Sequence, residues 1–218
     1  MVELIAELRA DRVRANLERI EGELARASPS GEVRVLAATK YVALEDLPVL
    51  HAGGVRLVGE NRAQDLERKV AAHGALFEWH FIGQLQSRRV RAILPHVRLI
   101  HSVASESALR EIERHRELAR ADAGILVEVN LAGEQGKAGI APEQLGPFIE
   151  RSALPVEGLM TMPPLAREPE QSRPWFARLR ELARAHGLRE LSMGTSQDYL
   201  VAAQEGATIV RIGTSLYH

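Results

Sequence analysis

The stretch "VRVLAATKYVALED", residues 33–46, decides between two folds. Its opening run of Val, Leu, Ala and Thr reads as a short strand meant for burial. An open doubly wound sheet normally carries a Gly-rich dinucleotide turn after its first strand, and "TKYVALED" (39–46) contains no glycine. In that place stands Lys40. A buried ammonium costs several kcal/mol unless it is paired, neutralised or covalently modified, so Lys40 is the first candidate for chemistry.

Outward from this stretch the same rhythm repeats. Seven further short apolar runs follow: "VRLVGE" (55–60), "EWHFIG" (78–83), "VRLIHSV" (97–103), "GILVEVN" (124–130), "PVEGLMTM" (155–162), "ELSMG" (190–194) and "TIVRIGT" (208–214). Charged amphipathic stretches lie between them, with helices expected over Asn61–His73, Ser105–Arg120 and Pro174–His186, and Ser196 expected to cap a helix that Gly206 stops. Apolar residues at Leu4, Leu8, Val13, Leu17, Ile20 and Leu24 predict one long N-terminal helix ending at "SPSG". Strands separated by single helices are usually parallel, and eight such units are the number that closes a (β/α)8 barrel. No linker or low-complexity tract interrupts the chain, so residues 1–218 read as a single domain.

Composition narrows the function classes. The 218 residues are 45% hydrophobic, enough for a sizeable core, and 28 Lys+Arg against 29 Asp+Glu leave a net charge of -1. No basic excess points to nucleic acid. The absence of cysteine removes disulfides and thiolate metal sites together and suits a reducing compartment. The N-terminus carries Glu3, Glu7 and Asp11, unlike a signal or transit peptide, and no apolar run approaches membrane-spanning length, so a cytoplasmic location is expected.

The unusual polar residues share a position. Lys40 follows the first strand, Glu60 and Asn61 the second and Gln84 the third; His101 and Ser102 sit at the fourth, Asn130 at the fifth and Thr161 at the sixth. Ser192 and Gly194 sit at the seventh, and Gly213 and Thr214 at the eighth. In a barrel these strand ends form one face, where active sites are built. Each feature alone has a plain alternative: a snorkelling or salt-bridged lysine, a turn with a capping asparagine at "GENR", an ordinary capped loop at "LSMGTSQD". Together, glycines and hydroxyls after strands seven and eight offer donors suited to a phosphate. Barrel closure sets the first strand beside the eighth. A phosphorylated aldehyde would touch both, condensing with the lysine amine as an imine and so removing its charge.

Eight motifs resemble the pyridoxal phosphate homeostasis family (YggS/PROSC type). They are the lysine closing strand one, "GENR" (59–62), "WHFIGQLQ" (79–86), "IHSV" (100–103), "VEVN" (127–130), "GLMTM" (158–162), "LSMGTSQD" (191–198) and "VRIGT" (210–214). The resemblance spans nearly the whole chain in order. It implies a fold-type III single (β/α)8 TIM-type barrel with an extra N-terminal helix, similar to the N-terminal domain of alanine racemase, carrying pyridoxal 5'-phosphate. It implies Lys40 as the Schiff-base lysine, Ser192, Gly194, Gly213 and Thr214 at the phosphate, Arg211 opposite the pyridine nitrogen, and Asn61 and His80 near the ring.

Two departures bear on activity. Alanine racemase uses a second domain whose tyrosine exchanges the α-proton from the opposite side, and this chain stops at His218, just after the eighth strand. After "RIGT" the family usually continues with a small apolar run and a glycine; here "SLYH" stands, which implies a short final helix and a looser phosphate grip at Thr214. The resemblance therefore implies a monomer or weak dimer that holds the cofactor in vitamin B6 and amino-acid homeostasis without robust turnover, with pyridoxal-phosphate-dependent apoenzymes as possible recipients. A slow single-domain racemase using Lys40, and a cofactor-free isomerase or aldolase barrel that binds sugar phosphates, are the competing readings.

Overall fold

The computed structural model describes residues 5, 7–29 and 31–218. Eight parallel strands close into a barrel in the order of the chain: β1 (Arg34–Ala38), β2 (Leu57–Glu60), β3 (Glu78–Phe81), β4 (Leu99–Val103), β5 (Gly124–Glu128), β6 (Val156–Met160), β7 (Glu190–Thr195) and β8 (Ile209–Ile212). β1 pairs with β8 in the register Leu36 to Arg211 and Ala37 to Ile212. All eight predicted strands are present, each within a few residues of its expected bounds.

Strand alternation divides the apolar residues into two sets. Leu36, Leu57, Leu99, Leu126, Met160 and Ile209 meet inside the barrel. Their neighbours face outward into a larger layer between the strands and the surrounding helices. Those helices are α1 (Ala10–Ala27), α2 (Leu47–Ala52), α3 (Ala63–His73), α4 (Val90–Ile93), α5 (Glu106–Arg114), α6 (Leu145–Glu150), α7 (Arg173–Ala185), α8 (Tyr199–Gln204) and α9 (Thr214–Tyr217).

Three expectations need correction. α1 begins at Ala10, later than the N-terminal apolar spacing predicted: Glu7 adopts a left-handed φ of 55°, and the Ile5 N–H donates to the Tyr41 carbonyl at 2.9 Å instead of entering a helix. Leu4 lies outside the described residues. α5 stops at Arg114, short of Arg120, and passes into a 3-10 turn over Arg116–Leu118. Ser196 does not cap α8. The helix starts three residues later, and the Ser196 hydroxyl instead accepts from the Gly213 N–H at 3.2 Å.

The short C-terminal helix is held firmly. Asn16 of α1 donates through Nδ2 to the Leu216 and His218 carbonyls at 3.1 and 3.0 Å, satisfying acceptors that a four-residue helix leaves open. Leu216 and Tyr217 are buried. The helix that follows Thr214 is therefore anchored from α1. Among the described residues, no helix is long and apolar enough to cross a membrane, and no group of His, Asp and Glu could hold a metal ion.

Candidate functional site

At the C-terminal mouth, Lys40 overturns the burial expected of it. β1 ends at Ala38, the chain turns with the Val42 N–H on the Thr39 carbonyl at 2.9 Å, and the lysine side chain emerges into solvent over the Tyr41 ring, 4.5 Å from its centroid. The ammonium stays hydrated and the burial penalty never arises. A solvent-reached primary amine remains beside β8.

The turn that carries Lys40 is clamped from behind. Thr39 and Glu60 point outward, toward α3, where buried Lys69 donates to Glu60 Oε1 at 2.6 Å and to the Thr39 carbonyl at 2.8 Å. The Thr39 hydroxyl adds a bond to Glu60 Oε1 at 2.6 Å. From the C-terminal helix, the Tyr217 hydroxyl donates to the Ala38 carbonyl at 3.0 Å; burial and the nearby Glu60 charge push this phenol's pKa up, so it stays a donor. Tyr217→Phe is expected to cost about 0.5–1.5 kcal/mol in urea unfolding, the net worth of one such bond.

On the β8 side of Lys40, the β8 and β7 ends supply small and hydroxyl groups. Thr214 is exposed, Ser196 lies within hydrogen-bond reach of the Gly213 N–H, and among the described residues a Cβ built on Gly213 meets nothing within 4 Å. Beside them, Asp198 accepts from the Thr195 N–H at 2.8 Å and from Ser172 at 2.8 Å, stiffening the loop. Two residues expected at a phosphate also serve the packing of the barrel. A Cβ on Gly194, whose φ is +90°, would come 2.5 Å from Ala202 Cβ, so this glycine serves the close approach of α8 to β7. Ser192 is fully buried inside the barrel.

Arg211 lies on the inward side of β8 with Ile209, as alternation predicts. Its Nη1 donates to the Ser192 Oγ at 2.6 Å and to the Ser192 carbonyl at 2.8 Å; Nη2 donates to the Thr161 carbonyl at 3.1 Å and to Met162 Sδ at 2.8 Å. Burial pushes its pKa down to about 10, opposed by the charges of Glu128 and Asp198, so it remains a cation at neutral pH. A thioether is a weak acceptor and Met162 is half exposed, so Nη2 can turn to a better acceptor at the mouth.

His80 does not present a free nitrogen to the mouth. Its Nδ1 meets His101 Nε2 at 2.9 Å and its Nε2 meets Glu78 Oε1 at 2.8 Å. Asn61 is at the mouth, in the turn after β2, where its backbone fills the space beside Gly83: a Cβ there would lie 2.0 Å from the Asn61 carbonyl oxygen. Sequence reasoning placed His101 among the polar strand ends of the mouth and Ser196 as a helix cap beside the phosphate motif, and gave no role to Glu78 or Glu128. His101 and Glu128 each stand two residues after an inward leucine, Leu99 and Leu126, so strand alternation was the signal for both. Glu128 is buried near Arg211, and burial pushes its carboxyl pKa up against the pull of that cation.

Residues 8–218 match the family described as alanine racemase, N-terminal domain. A pyridoxal phosphate homeostasis protein of Aquifex aeolicus is 41% identical over 220 residues, covering 95% of this chain and 96% of that one. The chain belongs to the pyridoxal phosphate homeostasis family. Among solved structures, PipY of Synechococcus elongatus PCC7942 superposes with a TM-score of 0.82 without pyridoxal phosphate and 0.81 with it bound. The identities are 30% and 31%, and each comparison covers 94% of this chain and 100% of PipY. Alanine racemase from Corynebacterium glutamicum, at 18% identity and a TM-score of 0.68, shares the fold, with the chain covering 63% of its length. The Aquifex protein and PipY are thus matched nearly end to end, and the racemase over part of its length.

Proposed function

We propose that this protein binds pyridoxal 5'-phosphate at the C-terminal mouth of the barrel and holds it for intracellular vitamin B6 and amino-acid homeostasis, without robust turnover. The observation that carries this reading is the placement of one exposed primary amine, Lys40, in the turn after β1, the strand that pairs with β8, whose end carries Gly213 and Thr214 and whose Arg211 points into the barrel. The donor set suits the group: an amine for the aldehyde, the open space at Gly213 with Thr214 and Ser196 for the phosphate, and a cation for the ring nitrogen. Family membership and the pyridoxal-phosphate-bound PipY support it.

When bound, pyridoxal phosphate supplies an electron sink for carbanion chemistry. The residues here restrain it. An arginine that stays charged at neutral pH leaves the ring nitrogen no proton donor of carboxylic type, so the sink is weak. Lys40 stands at the open side in solvent, where water is not excluded. Both features favour holding over catalysis. Delivery to pyridoxal-phosphate-dependent apoenzymes in the cytoplasm, by a monomer or weak dimer, is the partner relationship this reading favours.

The purified protein, incubated with pyridoxal phosphate and desalted, is expected to keep an imine absorption band that borohydride fixes onto the peptide containing Lys40. Lys40→Ala is expected to lose both. A wild-type protein without the band overturns the proposal, and a colourless protein that binds sugar phosphates favours an isomerase or aldolase barrel. Exchange of amino-acid α-hydrogen with deuterium oxide is expected at the rate of free cofactor; a far higher rate favours the racemase.

A further inference from the structure

A continuous line of hydrogen bonds crosses the barrel interior from one mouth to the other. It starts at Glu78, whose half-exposed side chain lies at the N-terminal rim near Arg34 at 3.6 Å. It passes through His80 and His101, then from His101 Nδ1 to the Ser192 Oγ at 2.8 Å, and ends on Arg211. Four strands contribute, and the three middle residues have no measurable contact with solvent beyond a trace.

The two ends dictate the sense of every bond between them. A guanidinium can only donate and an ionised carboxylate can only accept. With both imidazoles neutral, as their burial requires, one arrangement satisfies all the atoms. Arg211 donates to Ser192, Ser192 O–H to His101 Nδ1, His101 Nε2–H to His80 Nδ1, and His80 Nε2–H to Glu78. In this sense the Ser192 hydroxyl proton is used by His101 and a lone pair is left for Arg211. Both imidazoles are held as the Nε2–H tautomer.

We propose that Glu78, His80 and His101 are positioning residues for Arg211, acting as a one-way relay that holds its Nη1 on Ser192 and leaves Nη2 to face the mouth. The relay rests on the proposed function only in what Nη2 then meets. It explains why a barrel whose inner cluster is leucine, methionine and isoleucine keeps two histidines and a serine in its core: unpaired, each would carry a desolvation cost, and in series each is satisfied.

Histidine-labelled nitrogen NMR of the full chain without added ligand tests the relay directly. Both imidazoles are expected as single Nε2–H neutral tautomers near neutral pH. Glu78→Leu removes the terminal acceptor and is expected to mix the tautomers of His80 and also of His101, which does not touch residue 78; Glu78→Gln keeps an acceptor oxygen and is expected to leave His101 unchanged. Local packing alone would not move His101. Retention of a single His101 tautomer in the folded Glu78→Leu protein overturns the relay, as does an Nδ1–H or protonated state in the wild type.

A second pair of variants reads the far end. His101→Gln can accept from Ser192 and donate to His80, and is expected to bind pyridoxal phosphate within about three-fold of wild type. His101→Leu cuts the line and is expected to weaken binding about ten-fold or more, the scale of a hydrogen bond to a charged group. Equal affinities for the two variants overturn the positioning of Arg211. A wild type that binds no pyridoxal phosphate overturns the proposed function instead, and the tautomers still decide the relay.

Discussion

Lys69→Met is expected to destabilise the fold by about 3–5 kcal/mol, because it strips the partner from a buried carboxylate. Glu60 is fully buried, its Oε1 is shared between Lys69 and Thr39, and its Oε2 has no hydrogen-bond partner among the described residues. Without the ammonium, only the Thr39 hydroxyl still faces that charge. The loss reaches the mouth as well, since Lys69 also holds the Thr39 carbonyl, one residue before Lys40. Urea unfolding measures the first effect and pyridoxal phosphate affinity the second. Removing both charges, as Glu60→Leu with Lys69→Met, is expected to recover most of the stability, because well-packed apolar residues replace buried ion pairs at little cost. It is not expected to restore the clamp on Thr39. A single-variant loss under about 1 kcal/mol would show that the pair contributes nothing beyond packing.

Acid is expected to destabilise the protein well above the carboxylate range. Burial depresses the His80 pKa, which the Glu78 hydrogen bond and charge only partly oppose while Arg34 and Arg98 add to the depression. Burial also sets His101 well below 6.5, helped by His80, Arg211 and Arg34. In the unfolded chain both histidines regain a pKa near 6.5, so below that pH the unfolded state binds protons that the folded state refuses. Stability is therefore complete above about 6.5 and is lost as pH falls from there toward the folded-state values, at about 1.4 kcal/mol per pH unit for each histidine. Glu128 works with the opposite sign. Burial raises its carboxyl pKa, so it favours the folded state as protons are added and removes up to one proton from the slope. Urea midpoints at about pH 7.5, 6.5 and 5.5 should fall progressively with an unchanged m-value. A flat profile would mean that the relay accepts a proton without cost, contrary to its burial.

The sequence was informative where a feature is local or periodic. Eight apolar runs separated by amphipathic stretches define the barrel, and period-two alternation puts Arg211 inside with Ile209. The shared mouth follows from parallel strands alone. Less legible were features set by one residue's backbone or by meetings across strands. Nothing in "VRVLAATK" says that the strand ends at Ala38 and lets Lys40 emerge into water. Ser196 has the composition of a cap, yet the Gly213 N–H, 17 residues on, claims its oxygen. Ser192 and Gly194 sit in a phosphate-like motif, but one turns into the barrel to meet Arg211 and His101 and the other makes room for Ala202. Glu78, His80 and His101 are each visible as polar residues near strand ends. Only the closed register joins them.

The clasp around the Lys40 turn also sets an order in time. The Ile5 N–H holds the Tyr41 carbonyl on one side, while on the other the Tyr217 hydroxyl, 179 residues from its partner, holds Ala38. On a translating ribosome Lys40 emerges early and Tyr217 far later, after the eighth strand that β1 must meet. A nascent chain therefore displays the Lys40 amine long before the surrounding mouth exists, and under the proposed function selective loading of the cofactor is expected only once synthesis has passed Tyr217.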